Sequence, residues 1–113
     1  GKAVEVDESL QDAITATSGS GPAYFFAFVE AMVEGAIALG LSREDATTLT
    51  IQTIVGSAAL LERSGDSPTT LREKVTSPNG TTAAALASLS NDHLSEIVAR
   101  AMKAAHARSQ ELA

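Results

Sequence analysis

The 113-residue sequence predicts an all-helical fold class, and three observations carry that reading. Apolar residues recur at three- and four-residue spacings along several long segments, the period of one helix face. Those segments are punctuated by helix start and stop residues: Ser42 three positions before Asp45, Ser67 before Pro68, and glycines at 40 and 65. Aromatic residues make up only 4% of the chain, and no stretch of useful length combines β-branched residues with period-two alternation.

The elements follow in order. AVEV at residues 3–6 is compatible with a short extended piece, and Asp7 is a candidate N-cap for a helix through SLQDAITAT that is too short to stand alone. SGSGP at 18–22 breaks the chain. Pro22 then sits at a helix start, where its missing N–H has no partner to lose. Phe25, Phe26, Val29, Met32, Val33, Ala36 and Ile37 give the long helix that follows a wide apolar face, and Gly40 is a left-handed stop. Ser42 with Asp45 opens the next helix, whose expected inward stripe is Leu49, Ile54, Val55, Ala58 and Leu61. Thr47, Thr48, Thr50, Thr53, Gly56, Ser57 and Ala59 leave little bulk on the rest of that helix, which suits close approach of another helix on a second side. Two packed faces need two partners, and in a chain this small one of them points to a second subunit and an obligate dimer. After Gly65, Ser67-Pro68 opens a short helix with Leu71 and Val75 facing inward, and Pro78-Asn79-Gly80 forms a corner. TTAAALASL begins a further helix. Asn91-Asp92 is the expected cap of a last amphipathic helix with Leu94, Ile97, Val98, Ala101, Met102 and Ala105 on one face.

Bulk properties exclude several functions. Without cysteine there is no disulfide framework, thiolate metal site or cysteine nucleophile. Eight Lys and Arg against fourteen Asp and Glu, a formal charge of −6, argue against nucleic-acid binding, which relies on clustered cations. No apolar run reaches the roughly 20 residues of a membrane helix, and GKAVEVDESL lacks the layout of a signal peptide, so a soluble, cytoplasmic protein is expected. His93 and His106 have no converging partners in sequence, and no metal is expected. Glu30 and Glu34, four apart on one helix face, read as a solvated or interface-rim pair. SGSGP has neither of the usual phosphate-loop spacings and no preceding strand, so it reads as a structural bend.

SPNGTT at 77–82 carries more chemistry. A helix start offers unpaired N–H groups and a partial positive charge, so the amides of Gly80, Thr81 and Thr82, with the hydroxyls of Ser77, Thr81 and Thr82, suit the carboxylate of a small organic acid. On the residues alone a plainer reading is favoured, in which Ser77 caps, Pro-Asn-Gly turns, and the threonines simply begin a helix.

DAITATSGSGPAYFF (12–26) followed by LREKVTSPNGTTAAALASL (71–89) resembles the C-terminal domain of pyrroline-5-carboxylate reductase. The resemblance runs from about Val6 onward and includes the Gly40-Leu41 break and the family's V-[ST]-S-P-x-G-[TA]-T loop at Val75 to Thr82. It implies a helical dimerisation domain similar to the C-terminal domain of 6-phosphogluconate dehydrogenase, intertwined with its copy in a homodimer, with dimers often gathering into rings. It implies reduction of 1-pyrroline-5-carboxylate to L-proline with hydride from NADPH or NADH. By residue match, Val75, Thr76, Ser77, Asn79, Gly80, Thr81 and Thr82 form the substrate-binding set. Ser77, Thr81 and Thr82 would hold the carboxylate, Val75 would line the pocket, and Thr82 as the catalytic residue would also bond the ring nitrogen. A threonine hydroxyl is too weak an acid to be the main proton source near neutral pH, so Thr82 is expected to orient the ring of an already protonated iminium.

The family also carries a dinucleotide-binding domain, and no G-x-G-x-x-G in a strand–turn–helix setting occurs in these 113 residues. The expected organisation is residues 1–6 as the remnant of, or junction to, that domain, and residues 7–113 as the helical dimerisation and substrate-binding domain. The chain is then a shortened or cleaved piece, or a one-domain relative, with negligible hydride transfer on its own. Asn79 stands where the family often has glycine, a difference that Asn tolerates because it adopts left-handed backbone angles. Two other classes remain: a catalytically silent dimerisation module, and a helical domain that senses an amino or imino acid.

Overall fold

The computed structural model describes residues 7–113, so the expected extended piece at 3–6 and the junction at 1–6 lie outside the described residues. The described residues are helical, with no strand among them. They form two compact units, one running to Phe26 and resuming at His93–Ala113, the other Ala27–Asp92.

In the first unit the expected helix after Asp7 is three short pieces: a 3₁₀ turn at Glu8–Leu10, α1 at Gln11–Ile14 and a π turn at Thr15–Gly19. Asp7 has the extended backbone of an N-cap, but its side chain caps nothing. Its carbonyl instead accepts the Leu10 N–H at 2.9 Å. The π turn closes where the Ser20 N–H reaches the Thr15 carbonyl at 2.8 Å. Hydroxyls take up nearby carbonyls: Thr17 donates to Ala13 at 2.8 Å, and the Tyr24 phenol donates to Ala16 at 2.7 Å. The SGSGP break thus contracts to a bend at Ser20. The next helix, α2, is Gly21–Ala38, with Pro22 in its first turn.

The last helix, α6, is Leu94–Leu112 and packs on α1 and the π turn. Met102, Ala105, His106 and Ser109, spaced three, one and three residues apart, are the half-buried side of its C-terminal half. Leu94, Ile97 and Val98 continue the expected apolar face toward the N-terminus but are exposed. Asn91-Asp92 does not cap this helix. The N-cap is His93, whose left-handed backbone (φ 62°) turns the chain and whose carbonyl accepts the Ile97 N–H at 3.0 Å.

In the second unit the rest of α2 ends in a Schellman motif: the Leu41 N–H reaches the Ala36 carbonyl and the Gly40 N–H the Ile37 carbonyl, with Gly40 at φ 112°. Helix α3, Arg43–Arg63, is capped as expected, the Ser42 side chain accepting the Asp45 N–H at 3.1 Å. Gly65, at φ 75°, follows its end. Glu34, read from sequence with Glu30 as a solvated or interface-rim pair, is exposed and meets Arg43 at 3.0 Å.

Burial on α3 differs from the expected stripe. Ala46 and Thr50, one helical turn apart, are its buried residues, with Thr47 and Ile54 half-buried beside them. Leu49, Val55, Ala58 and Leu61 are exposed. Small side chains are therefore what this chain covers, and the bulky stripe is left uncovered. The same holds on α2, where Val33 is buried while Phe28, Met32 and Leu39 are 47%, 41% and 90% exposed. Since covering one such side chain is worth about 1.5–3 kcal/mol, these faces represent a large unused driving force for association.

Candidate functional site

The site is assembled from α4 (Pro68–Lys74), a six-residue connection, and α5 (Thr81–Asn91), all inside the second unit. Helix α4 is short and therefore depends on its ends. Ser67 accepts the Thr70 N–H at 3.1 Å, Pro68 takes the first helical position, and Lys74 at the far end pairs with Asp66 at 2.7 Å. At its C-terminus the Arg72 carbonyl accepts the Thr76 hydroxyl at 2.6 Å, and the Glu73 carbonyl accepts the Thr76 N–H at 3.2 Å.

Ser77 to Gly80 form a β-turn closed by the Gly80 N–H on the Ser77 carbonyl at 3.1 Å. Pro78 at the second position and Asn79 at φ 60° at the third are the signature of a type II turn. Gly80 lies close to the turn: a Cβ there would be 3.2 Å from the Ser77 carbonyl oxygen, a tight contact that favours glycine. Gly80, not Ser77, is the N-cap of α5 and has no side chain to offer. The first intrahelical bond is Ala84 N–H to Gly80 carbonyl at 3.1 Å, so the amides of Thr81, Thr82 and Ala83 have no helical partner. The donor set therefore shifts by one residue from that expected, because the Gly80 amide is used by the turn and Ala83 is added. Counting three amides forward from a glycine cap was the signal that could have found it.

The hydroxyls of Ser77, Thr81 and Thr82 make no hydrogen bond with a described group. Ser77 and Thr81 are exposed and Thr82 is half-buried. No side chain from Val75 to Asn91 carries a formal charge, so nothing within this stretch offsets the partial positive charge of the helix start. The chemistry of such a set suits a planar monoanion, offered amides and neutral hydroxyls, and includes no group suited to protonate or deprotonate it near neutral pH. Val75, expected to face inward, is instead 66% exposed at the edge of an open groove of about 560 Å³ formed with Leu60, Leu61, Pro68 and Leu71.

Elsewhere, SGSGP is absorbed into the π turn and the start of α2, with the Ser20 and Ala23 amides bonded within the chain. His93 lies 3.8 Å from Glu96, His106 is half-buried on α6, and no group of three His, Asp or Glu among the described residues is placed to hold a metal. With no G-x-G-x-x-G in the sequence and no strand among the described residues, these residues do not form a dinucleotide-binding domain of the strand–turn–helix type.

A family model described as pyrroline-5-carboxylate reductase dimerisation matches residues 8–112. The chain belongs to this family. Among curated pyrroline-5-carboxylate reductases it is 50% identical to that of Pseudomonas aeruginosa over 107 residues, 95% of this chain and 39% of the relative. It is 43% identical to that of Arabidopsis thaliana over 112 residues, 99% of this chain and 41% of the relative. The chain thus spans about two fifths of the length of these reductases. Among solved structures, pyrroline-5-carboxylate reductase from Coxiella burnetii superposes with a TM-score of 0.93 at 42% identity, over 96% of this chain and 40% of that one. The Plasmodium falciparum pyrroline carboxylate reductase, solved with NADP bound, superposes with a TM-score of 0.92 at 36% identity, over 98% of this chain and 45% of that one.

Proposed function

We propose that this chain is the dimerisation and substrate-carboxylate part of a reductase that converts 1-pyrroline-5-carboxylate to L-proline. The observation that carries the reading is the start of α5: three helix amides and three hydroxyls with no hydrogen-bond partner among the described residues, in a stretch free of charge, in a chain of this family. Thr81, Thr82 and Ala83 amides with the Ser77 and Thr81 hydroxyls hold the carboxylate. Thr82 also holds the ring nitrogen, which reaches the site as a protonated iminium because no acid of suitable strength lies in the loop. Val75 forms an apolar edge, Asn79 and Gly80 shape the turn, and Thr76 belongs to the loop frame. The NADPH or NADH that supplies hydride is held outside these 113 residues, a reading supported by the NADP-bound relative of about twice the length.

The uncovered faces of α2 and α3 pair with a second copy to give a homodimer, and the family resemblance extends this to a ring of dimers. No described helix is long and apolar enough to cross a membrane, and we place the protein in the cytoplasm.

The test is an NMR titration of the chain with L-proline, with Thr82→Ala as control and light scattering on the same sample. The expected result is a dimer whose shifts are confined to residues 75–83 and lost in the variant. A well-folded dimer with no shifts would overturn the carboxylate site in this chain and favour a silent dimerisation module. Proline binding by a complete protein that has no reductase activity would favour a sensor.

A further inference from the structure

We propose that Thr76 is a positioning residue of the carboxylate site and not one of its ligands. The inference rests on reading the start of α5 as that site.

Both donors of Thr76 are spent inside the chain, the hydroxyl on the Arg72 carbonyl at 2.6 Å and the N–H on the Glu73 carbonyl at 3.2 Å. What the side chain still presents is an oxygen lone pair, which repels a carboxylate. Thr76 is also half-buried between two exposed neighbours, Val75 and Ser77.

The anchor is well founded. A helix of seven residues ends in carbonyls with no helical partner, and in α4 those carbonyls are held in place from the other end. The Ser67 hydroxyl both caps Thr70 and donates to its hydroxyl at 3.0 Å, and the Asp66–Lys74 pair spans the helix from before its N-cap to its last residue. From this frame a chain of bonds leads to the site. Thr76 fixes the start of the turn on Arg72, the Ser77 carbonyl that follows accepts the Gly80 N–H, and Gly80 sets the first turn of α5. Without the Thr76 hydroxyl the turn loses its tie to α4, and Ser77 with the amides of Thr81 to Ala83 beyond it is no longer held on that frame.

Thr76→Val keeps the shape and removes the hydroxyl, whereas Thr76→Ser keeps the hydroxyl. In the complete protein, Thr76→Val should weaken L-proline binding by about five- to tenfold, the size of one lost hydrogen bond, with dinucleotide affinity unchanged. The Gly80 amide should exchange with solvent faster in the same variant, and Thr76→Ser should restore both. Weakened proline binding with Gly80 exchange unchanged would make Thr76 a ligand and overturn the proposal. Thr76→Ser as damaging as Thr76→Val, or Thr76→Val like wild type, would overturn it equally. Failure of the wild type to bind proline overturns the site reading instead, while the Gly80 exchange rate still reports whether Thr76 holds the turn.

Discussion

The Ser109 hydroxyl donates to Oδ1 of Asp12 at 2.6 Å, a partly buried bond between residues 97 positions apart that ties the last helix to α1. Its length is that of a charge-assisted O–H···O⁻ bond, stronger than a neutral one. Ser109→Ala should lower the unfolding free energy by about 1.5–3 kcal/mol, the usual worth of a hydrogen bond to a charged group. Ser109→Ala and Asp12→Ala should not add in the double variant, because each removes the same bond. Urea midpoints at one matched protein concentration check both statements, since a dimer's apparent stability depends on concentration.

Ser77 and Thr82 have different roles in the proposed site, and kinetics should separate them. In the complete protein, Thr82→Ala should lower kcat by about 10²-fold through lost orientation, leaving the KM for NADPH unchanged. Ser77→Ala should chiefly raise the KM for pyrroline-5-carboxylate, about five- to tenfold for one lost donor. Equal losses in kcat and in dinucleotide affinity for Thr82→Ala would refute its assignment.

Asn79 holds a left-handed backbone at φ 60° in the type II turn. Asn79→Gly should be neutral within about 0.5 kcal/mol, because glycine adopts the same angles without a Cβ clash. Asn79→Val should cost about 1–2 kcal/mol or more in thermal unfolding and weaken proline binding through the displaced Gly80 cap.

Phe28 and Met32 lie one helical turn apart on an uncovered face of α2. The double variant Phe28→Glu, Met32→Glu should halve the mass seen in light scattering, because burying two carboxylates against an apolar partner costs several kcal/mol. An unchanged mass would remove this face from the dimer.

Local chemistry made much of this fold legible from sequence. Ser42, Ser67, Pro68, Gly40 and Gly65 act on the backbone within four residues of themselves, and each does what its residue type predicts. The Pro78-Asn79-Gly80 corner was legible for the same reason. The π turn was not, because its Thr15 and Ala16 carbonyls are taken up by the Ser20 amide and the Tyr24 phenol, which lie beyond it in the chain. Nor was the cap of α6, where a left-handed His93 overrides the better capping residues Asn91 and Asp92.

By itself, then, the sequence determined where α2 stops, where α3 and α4 start, that residues 7–113 are helical, and that a charge-free helix start follows a tight turn. Which faces are covered was decided only in the tertiary structure. Periodicity identifies an apolar stripe but not its partner, and here Ala46 and Thr50 are buried while Leu49, Val55 and Leu61 stand open. The tertiary structure also decided which donors remain at the site. Gly80 and Thr76 spend theirs on carbonyls three and four residues back, and the Ala83 amide is left in their place. A hydrogen-bond donor serves one acceptor well, and only the folded backbone shows which acceptor that is.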